Sequence, residues 1–330
     1  MQCGPFLLNR TIVVWTVIGW FIGALTVLGE QPDGKTDRSL ELTAGSTSIQ
    51  EISRLIETNQ LEAAREQLRQ EIRERGPGYQ TYFLEARILF GERRFEGSLK
   101  ALEQSFTLDK RDPKVYLLAG MNWVVLDRLD LARPFFEQAV KLAPGDDTMH
   151  YHLGRYYYTA QHFSLAEREF REVVRLNPAS VKGYDNLGLA REAQTKDAEA
   201  VACYRKAIEL AEQQGLRTEW PYLNLGKLLL AKDLHEESLA MSRQAAEMNP
   251  SSAEAFYVQA KALQKLGKET ETLQALQRSI QNDPKFSESH YLLGRLYLRQ
   301  GRKAEGEKEM EVFQSLKQQE RKKSGGMSVR

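Results

Sequence analysis

Apolar positions along this chain recur at helical spacing, in pairs of short stripes separated by a polar break. In residues 147–180 the first stripe consists of His150, Leu153, Gly154 and Tyr157, at i, i+3, i+4 and i+7. The second stripe consists of Phe163, Ala166, Phe170, Val173 and Val174. Pro178 ends the second stripe, because proline lacks an amide hydrogen and disfavours helix in the residue before it. The segment therefore predicts two helices joined as a hairpin.

The same pattern repeats every 34 residues, which predicts eight hairpins in succession. The units are residues 45–78, 79–112, 113–146, 147–180, 181–214, 219–252, 253–286 and 287–320. Position 20 of the unit is small in all eight: Ala64, Ser98, Ala132, Ala166, Ala200, Ser238, Thr272 and Gly306. A small side chain at this position lets the two helices of a hairpin approach closely. The four extra residues 215–218 predict a longer preceding helix that Gly215 ends.

A family resemblance rests on a few residues of each unit. In residues 147–180 these are Leu153, Gly154, Tyr157, Ala166, Phe170 and Pro178. This arrangement resembles the tetratricopeptide repeat, abbreviated TPR. The resemblance covers residues 45 to about 320 and implies an all-α fold, a right-handed α-solenoid of eight TPR helical hairpins. Sixteen helices without a β-strand are therefore expected.

The segments outside the repeats predict export. Residues 11–29 carry no charge and follow Arg10, which is typical of a secretory signal peptide or of a single transmembrane anchor. Both remain open: cleavage near Gly29 would give a periplasmic or secreted protein, and an uncleaved segment would anchor the repeats outside the membrane. Residues 30–44 are predicted to be a flexible linker, and residues 321–330 a basic disordered tail.

Charge and motifs indicate a protein without catalysis, cofactor or metal. The 46 basic and 45 acidic residues nearly cancel, so no overall positive field attracts nucleic acid. The short motifs of metalloproteases, P-loops, dinucleotide-binding folds and serine hydrolases do not occur in the sequence. His150 and His152 stand at i and i+2 and point apart on a helix, so we interpret His150 as a core residue.

Three rows on the first helix of each unit predict a partner-binding surface. Position 5 is mostly aromatic or aliphatic, and position 9 is basic in five units, at Arg87, Arg155, Lys227, Lys261 and Arg295. Position 6 is polar at His152, Asn186 and Asn224, and amides at this position resemble the row that grips peptide backbone in some TPR proteins. The resemblance implies that this face lines the concave groove where peptides bind. The candidate partner-binding residues are Tyr151, His152, Arg155, Asn186, Asn224, Lys227, Tyr257, Lys261 and Arg295.

These residues predict a protein or peptide ligand with acidic and apolar side chains. The alternative is that the basic row is ordinary solvated surface. The lysine and asparagine pattern by which some TPR proteins bind chaperone carboxyl termini is absent around Asn186. The sequence thus predicts a non-catalytic scaffold in a bacterial cell envelope, or alternatively a membrane-anchored accessory subunit of a larger secretion, pilus or enzyme assembly.

Overall fold

The structure, a computed structural model, describes residues 44–325, and within this range every regular element is an α-helix. The sixteen helices are α1 Ala44–Glu57, α2 Leu61–Arg75, α3 Tyr79–Gly91, α4 Phe95–Leu108, α5 Pro113–Val125, α6 Leu129–Leu142, α7 Asp147–Thr159, α8 Phe163–Leu176, α9 Val181–Glu192, α10 Asp197–Gln213, α11 Trp220–Ala231, α12 His235–Met248, α13 Ala253–Lys265, α14 Glu269–Asn282, α15 Ser287–Arg299 and α16 Lys303–Gly325. The prediction of sixteen helices without a strand is confirmed for the described residues.

Consecutive helices form the hairpins, and the hairpins belong to two compact units. The N-terminal unit ends at Glu172 and the C-terminal unit begins at Val173. In each unit the core lies between the two helices of a hairpin and between neighbouring hairpins. Position 20 is at its centre: Ala132 and Ala200 are fully buried, and the hydroxyl groups of Ser98 and Ser238 donate to the carbonyl oxygens of position 8.

The size of the side chain at position 8 is complementary to the size of the side chain at position 24 on the facing helix. A Cβ atom added to Gly188 would lie 2.5 Å from Cε1 of Tyr204, and one added to Gly154 would lie 2.8 Å from Cε1 of Phe170. At Gly226, where position 24 is Ser242, the nearest atom would be 3.4 Å away. Glycine at position 8 therefore makes room for a buried ring at position 24.

The turn between the two helices of every hairpin has one residue in the left-handed conformation, at position 15. These residues are Asn59, Arg93, Asp127, Gln161, Thr195, Asp233, Gly267 and Gly301. The left-handed region suits glycine, yet six of the eight positions carry a side chain. Tertiary packing of the two helices thus holds the turn against the local preference at Arg93, Gln161 and Thr195, whereas asparagine and aspartate adopt this conformation more readily.

The ends of two helices bear on the predicted boundaries. Helix α10 is 17 residues long, and Gly215 follows its end with a φ of 63°, as the four-residue insertion predicts. Helix α16 continues to Gly325, so it extends into the segment predicted to be a disordered tail.

The predicted signal or anchor at residues 11–29 and most of the linker lie outside the described residues. Within residues 44–325, no helix combines the length and the apolar character that a membrane span needs.

Candidate partner-binding surface

Aromatic and cationic side chains pair on the first helices of four hairpins, because positions 5 and 9 are one helical turn apart. The distances from the cation to the ring centroid are 6.0 Å for Arg87 and Phe83, 5.8 Å for Arg155 and Tyr151, 5.6 Å for Lys261 and Tyr257, and 5.7 Å for Arg295 and Tyr291. The two predicted rows thus form one structural feature. The pairs differ in how much of them reaches the surface.

In the N-terminal unit the predicted partner-binding residues are buried. Tyr151, His152 and Arg155 are 8%, 3% and 6% exposed. The Tyr151 ring packs against the rings of His152 and Phe170, with centroid separations of 5.3 Å and 6.2 Å. These side chains are part of the packing of α7 and α8, which leaves little of their surface for a partner.

The two asparagines of the C-terminal unit already donate hydrogen bonds within the chain. Asn224 Nδ2 donates to Asp185 Oδ1 at 2.9 Å, and Asn186 Nδ2 donates to the Lys182 carbonyl oxygen at 2.9 Å. Both asparagines are buried. The Asn224 bond joins α11 to α9, so this amide has a structural role that the sequence did not reveal.

Asp185, which is buried, and Glu192, which is half-buried, form an acidic region on α9. Burial raises the pKa of Asp185 to about 7, although the hydrogen bond from Asn224 and the charge of Lys227 act in the opposite direction. Burial likewise raises the pKa of Glu192, whose Oε2 accepts a hydrogen bond of 2.6 Å from the hydroxyl of Tyr204. When these two carboxyl groups are ionised, they would repel a ligand carboxylate placed beside them.

Lys227 is paired, and so are the acids that lie next to Tyr257. Lys227 Nζ lies 2.5 Å from Glu254 Oε1, and Lys317 Nζ lies 3.0 Å from Glu288 Oε1. Glu254 and Glu288 occupy position 2 of the last two units. Burial raises the pKa of the Tyr257 hydroxyl to about 12, and the negative charges of these two acids add to the increase. These acids belong to the candidate site although the sequence analysis did not include them. Their shared position in the repeat was the signal that could have identified them.

Lys261 and Arg295 differ from Lys227 because neither forms an ion pair with an acid of the described residues. Within the described part of the chain, no carboxylate oxygen lies within 4.0 Å of either cation. Lys261 is half-buried, and burial lowers its pKa, with Lys265 adding to the effect. Arg295 is exposed, and its Nη1 lies 3.4 Å from the Tyr291 hydroxyl.

The rings beside these cations are held by a second layer of aromatic residues. Tyr257 packs edge-on against Phe286 at a centroid distance of 5.3 Å, and Tyr291 packs against Phe313 at 5.1 Å. Tyr291 keeps 37% of its surface exposed. We call Tyr257, Lys261, Tyr291 and Arg295 the aromatic–cation face. It combines apolar rings on α13 and α15 with two positive charges that make no ion pair among the described side chains.

Comparison with known proteins agrees with this architecture. Family models described as tetratricopeptide repeat match residues 83–147, 151–215, 223–285 and 275–308, which together are more than half of the chain. The chain belongs to the tetratricopeptide repeat family. Proteins with this fold typically act in protein–protein interaction and are typically non-catalytic.

Solved structures of low sequence identity share the fold. Yeast Tom70 is 14% identical with a TM-score of 0.61, over 97% of this chain and 72% of that one. The APC/C hetero-tetramer Cut9–Hcn1 is 15% identical with a TM-score of 0.62, over 87% of this chain and 54% of that one. The human tetratricopeptide repeat protein 7B is 30% identical over 82 residues, which are 25% of this chain. The matched region spans only 10% of the length of that relative.

Proposed function

We propose that this protein is a non-catalytic scaffold of a bacterial cell envelope, and that it binds an acidic, apolar segment of a partner protein on the aromatic–cation face. The observation that carries the proposal is Lys261, a half-buried cation stacked on Tyr257 with no carboxylate within 4.0 Å among the described residues. The nearby acids are held by other cations, Glu254 by Lys227 and Glu288 by Lys317.

The chemistry of the face defines the ligand. Burial lowers the pKa of Lys261. A ligand carboxylate next to the Lys261 ammonium group would stabilise its charged form and so oppose this effect. A second carboxylate would pair with exposed Arg295, where the gain is only about 0.2–1 kcal/mol because water screens the pair. Apolar side chains of the same segment would pack on the half-exposed ring of Tyr291. We therefore expect a segment that presents acidic residues next to aliphatic or aromatic ones.

Three residues of this face, Tyr257, Lys261 and Arg295, belong to the partner-binding site predicted from the sequence. The predicted residues Asn186 and Asn224 are not part of the face, and their amides donate within the chain. Replacement of Asn224 by alanine would remove the hydrogen bond to Asp185 and so would change stability together with any binding. The aromatic–cation face offers a cleaner test, since its cations make no ion pair within the described residues.

Binding is tested with an array of twelve-residue peptides that share apolar residues and differ only in carrying Glu, Gln or Lys between them. We expect the protein to bind the Glu peptides, with an affinity that falls as salt rises. The variant Lys261→Gln with Arg295→Gln should lose at least about tenfold in affinity, which corresponds to about 1.4 kcal/mol.

The matched control is Arg205→Gln, which neutralises a cation that is 65% exposed on the second helix of another hairpin. This variant should bind as the unchanged protein does. Equal binding of the Glu, Gln and Lys peptides, or full affinity in the double variant, would show that the aromatic–cation face does not select acidic segments.

Export is supported by residues 11–29, which carry no charge and follow Arg10. A reporter fused after Lys35 should reach the far side of the membrane, and Val17→Asp with Phe21→Asp should prevent it. Each charge near the centre of such a segment costs about 2.5–3.5 kcal/mol on insertion. The intact mass of the mature protein distinguishes cleavage near Gly29 from a retained anchor. A cytoplasmic reporter would refute export.

The second candidate is an accessory subunit held permanently in a larger secretion, pilus or enzyme assembly. The observation that favours it is the exposure of large apolar side chains around the insertion, with Leu216 49% and Trp220 38% exposed. A permanent subunit would be insoluble when produced alone and soluble with its partner. A scaffold with an exchangeable ligand would be soluble and monodisperse alone.

A further inference from the structure

Two buried histidines occupy the same position and make the same contacts in different hairpins. His150 and His290 both stand at position 4, and they are 7% and 6% exposed. His150 Nδ1 lies 2.8 Å from Glu169 Oε2, and its Nε2 lies 3.1 Å from the carbonyl oxygen of Pro144. Each ring thus bridges the second helix of its own hairpin and the end of the preceding hairpin.

The second site reproduces this geometry closely. His290 Nδ1 lies 2.6 Å from Glu309 Oε2, and its Nε2 lies 3.1 Å from the carbonyl oxygen of Pro284. Pro144 and Pro284 are both at position 32, and Glu169 and Glu309 are both at position 23. The two sites therefore use the same three positions of the repeat.

The partners of each ring are hydrogen-bond acceptors only. A carboxylate oxygen and a backbone carbonyl oxygen have no hydrogen to donate, so both ring nitrogens must donate. A neutral imidazole carries one N–H and could satisfy only one of the two oxygens. The doubly protonated imidazolium satisfies both, and the adjacent carboxylate balances its charge.

The sequences of the other hairpins support a specific pairing of positions 4 and 23. The other six hairpins have no histidine at position 4 and no acid at position 23. Their residues at position 23 are Gln67, Ala101, Phe135, Cys203, Met241 and Ala275. Histidine and glutamate thus occur together in two hairpins and separately in none.

We propose that His150 is an imidazolium clamp that holds hairpin four to the hairpin before it, and that loss of its proton weakens this junction. The proposal goes beyond partner binding, since it concerns the stability of the repeat stack in the N-terminal unit. The clamp closes under mildly acidic conditions and opens as the pH rises.

The charges around His150 are consistent with this direction. The hydrogen bond to Glu169 raises the pKa of His150 above its ordinary value and outweighs burial, and Glu172 adds to the increase. Burial alone would raise the pKa of Glu169, but hydrogen bonds from His150 and Arg168 outweigh it and lower that pKa. Glu169 therefore stays ionised while His150 is protonated.

The sign of the pH dependence follows from this shift. Because the folded state binds the His150 proton more tightly than the unfolded state, the clamp stabilises the fold fully below about pH 6.5, the ordinary histidine pKa. The stabilisation is lost as the pH rises through the pKa of the folded state. A purely structural histidine that packs as a neutral ring would show the opposite slope or none.

The first experiment follows thermal unfolding of the full protein between pH 5.5 and pH 9 for the unchanged chain and for His150→Gln. The variant should melt about 2–4 °C lower than the unchanged protein at acidic pH. The difference should shrink towards zero at alkaline pH, because there the clamp is open in both proteins. The control is His162→Gln, at an exposed position, which should melt with the unchanged protein at every pH.

The second experiment keeps the proposal testable if a variant fails to fold. Nitrogen-15 chemical shifts of the histidine rings in the unchanged protein report protonation directly. At pH 6.0 both nitrogens of His150 should be protonated, and Glu169→Gln should move the His150 titration to lower pH. A single neutral tautomer at pH 6.0, or a melting difference independent of pH, would overturn the clamp.

Discussion

The contact of Gly188 with Tyr204 gives a sharp test of how these hairpins pack. A Cβ atom at Gly188 would lie 2.5 Å from Cε1 and 2.7 Å from Cδ1 of the Tyr204 ring. The ring cannot move away easily, because it is fully buried and its hydroxyl donates to Glu192 at 2.6 Å. Gly188→Ala therefore forces a methyl group into occupied space.

The magnitude follows from two opposing terms. Overpacking of a buried position costs about 1–3 kcal/mol. Replacement of a helical glycine by alanine returns about 0.8–1 kcal/mol of helix propensity. The matched variant Gly226→Ala gains the same propensity, but its Cβ atom would have no neighbour closer than 3.4 Å. The two variants should consequently differ in unfolding free energy by about 1–3 kcal/mol, with Gly226→Ala more stable than the unchanged protein.

The assay is urea unfolding followed by circular dichroism, together with hydrogen exchange of the amides in α9, α10, α11 and α12. Gly188→Ala should lower the urea midpoint and speed exchange in α9 and α10, while Gly226→Ala should raise the midpoint. The double variant with Tyr204→Leu copies the alanine and leucine found together at Ala86 and Leu102, and should recover part of the loss. Equal stability of the two alanine variants, or no recovery in the double variant, would refute the proposed fit between positions 8 and 24.

Two further predictions concern a turn and a buried acid. Thr195 has a φ of 61°, which is unfavourable for a β-branched residue. Thr195→Gly should therefore raise the free energy of unfolding by about 1 kcal/mol, as measured by urea unfolding. Gly267→Thr, at the equivalent turn, should lower it. Asp185 has its pKa raised by burial to about 7, so the folded state binds its proton more tightly and stability falls between about pH 4 and pH 7. Asp185→Asn should remove this fall and stabilise the protein at pH 8 by more than about 1.4 kcal/mol, the equivalent of one pKa unit. If the melting temperature of this variant varies with pH as it does in the unchanged protein, Asp185 is not the group responsible.

The helical architecture was accessible from sequence because it depends on local periodicity. The small residues at position 20 predicted the close approach of paired helices, and the structure buries Ala64 and Thr272 there completely. Gly215 predicted the end of the long helix α10. Each of these features depends on neighbours within one hairpin, where the spacing of residues fixes the geometry.

The candidate site was only partly predictable because it depends on which side chains meet between hairpins. Periodicity placed Lys227 and Lys261 in the same row, but among the described residues only Lys227 has an acid within reach, Glu254 on the next first helix. Asn224 was predicted to face a ligand, and the sequence did not reveal that its amide donates to Asp185 one hairpin away. The lengths and rotamers of side chains decide such contacts, and a helical period does not encode them.

The contacts that join hairpins in each unit connect residues close together along the chain. The bond from Asn224 to Asp185 and that from His290 to Pro284 both link a hairpin with the one before it. Assembly can therefore proceed one hairpin at a time, because each new hairpin needs only the preceding hairpin to pack against. During synthesis, a hairpin could dock while the following residues are still being added. A local defect such as Gly188→Ala would then interrupt this sequential assembly at one hairpin and leave the preceding hairpins folded.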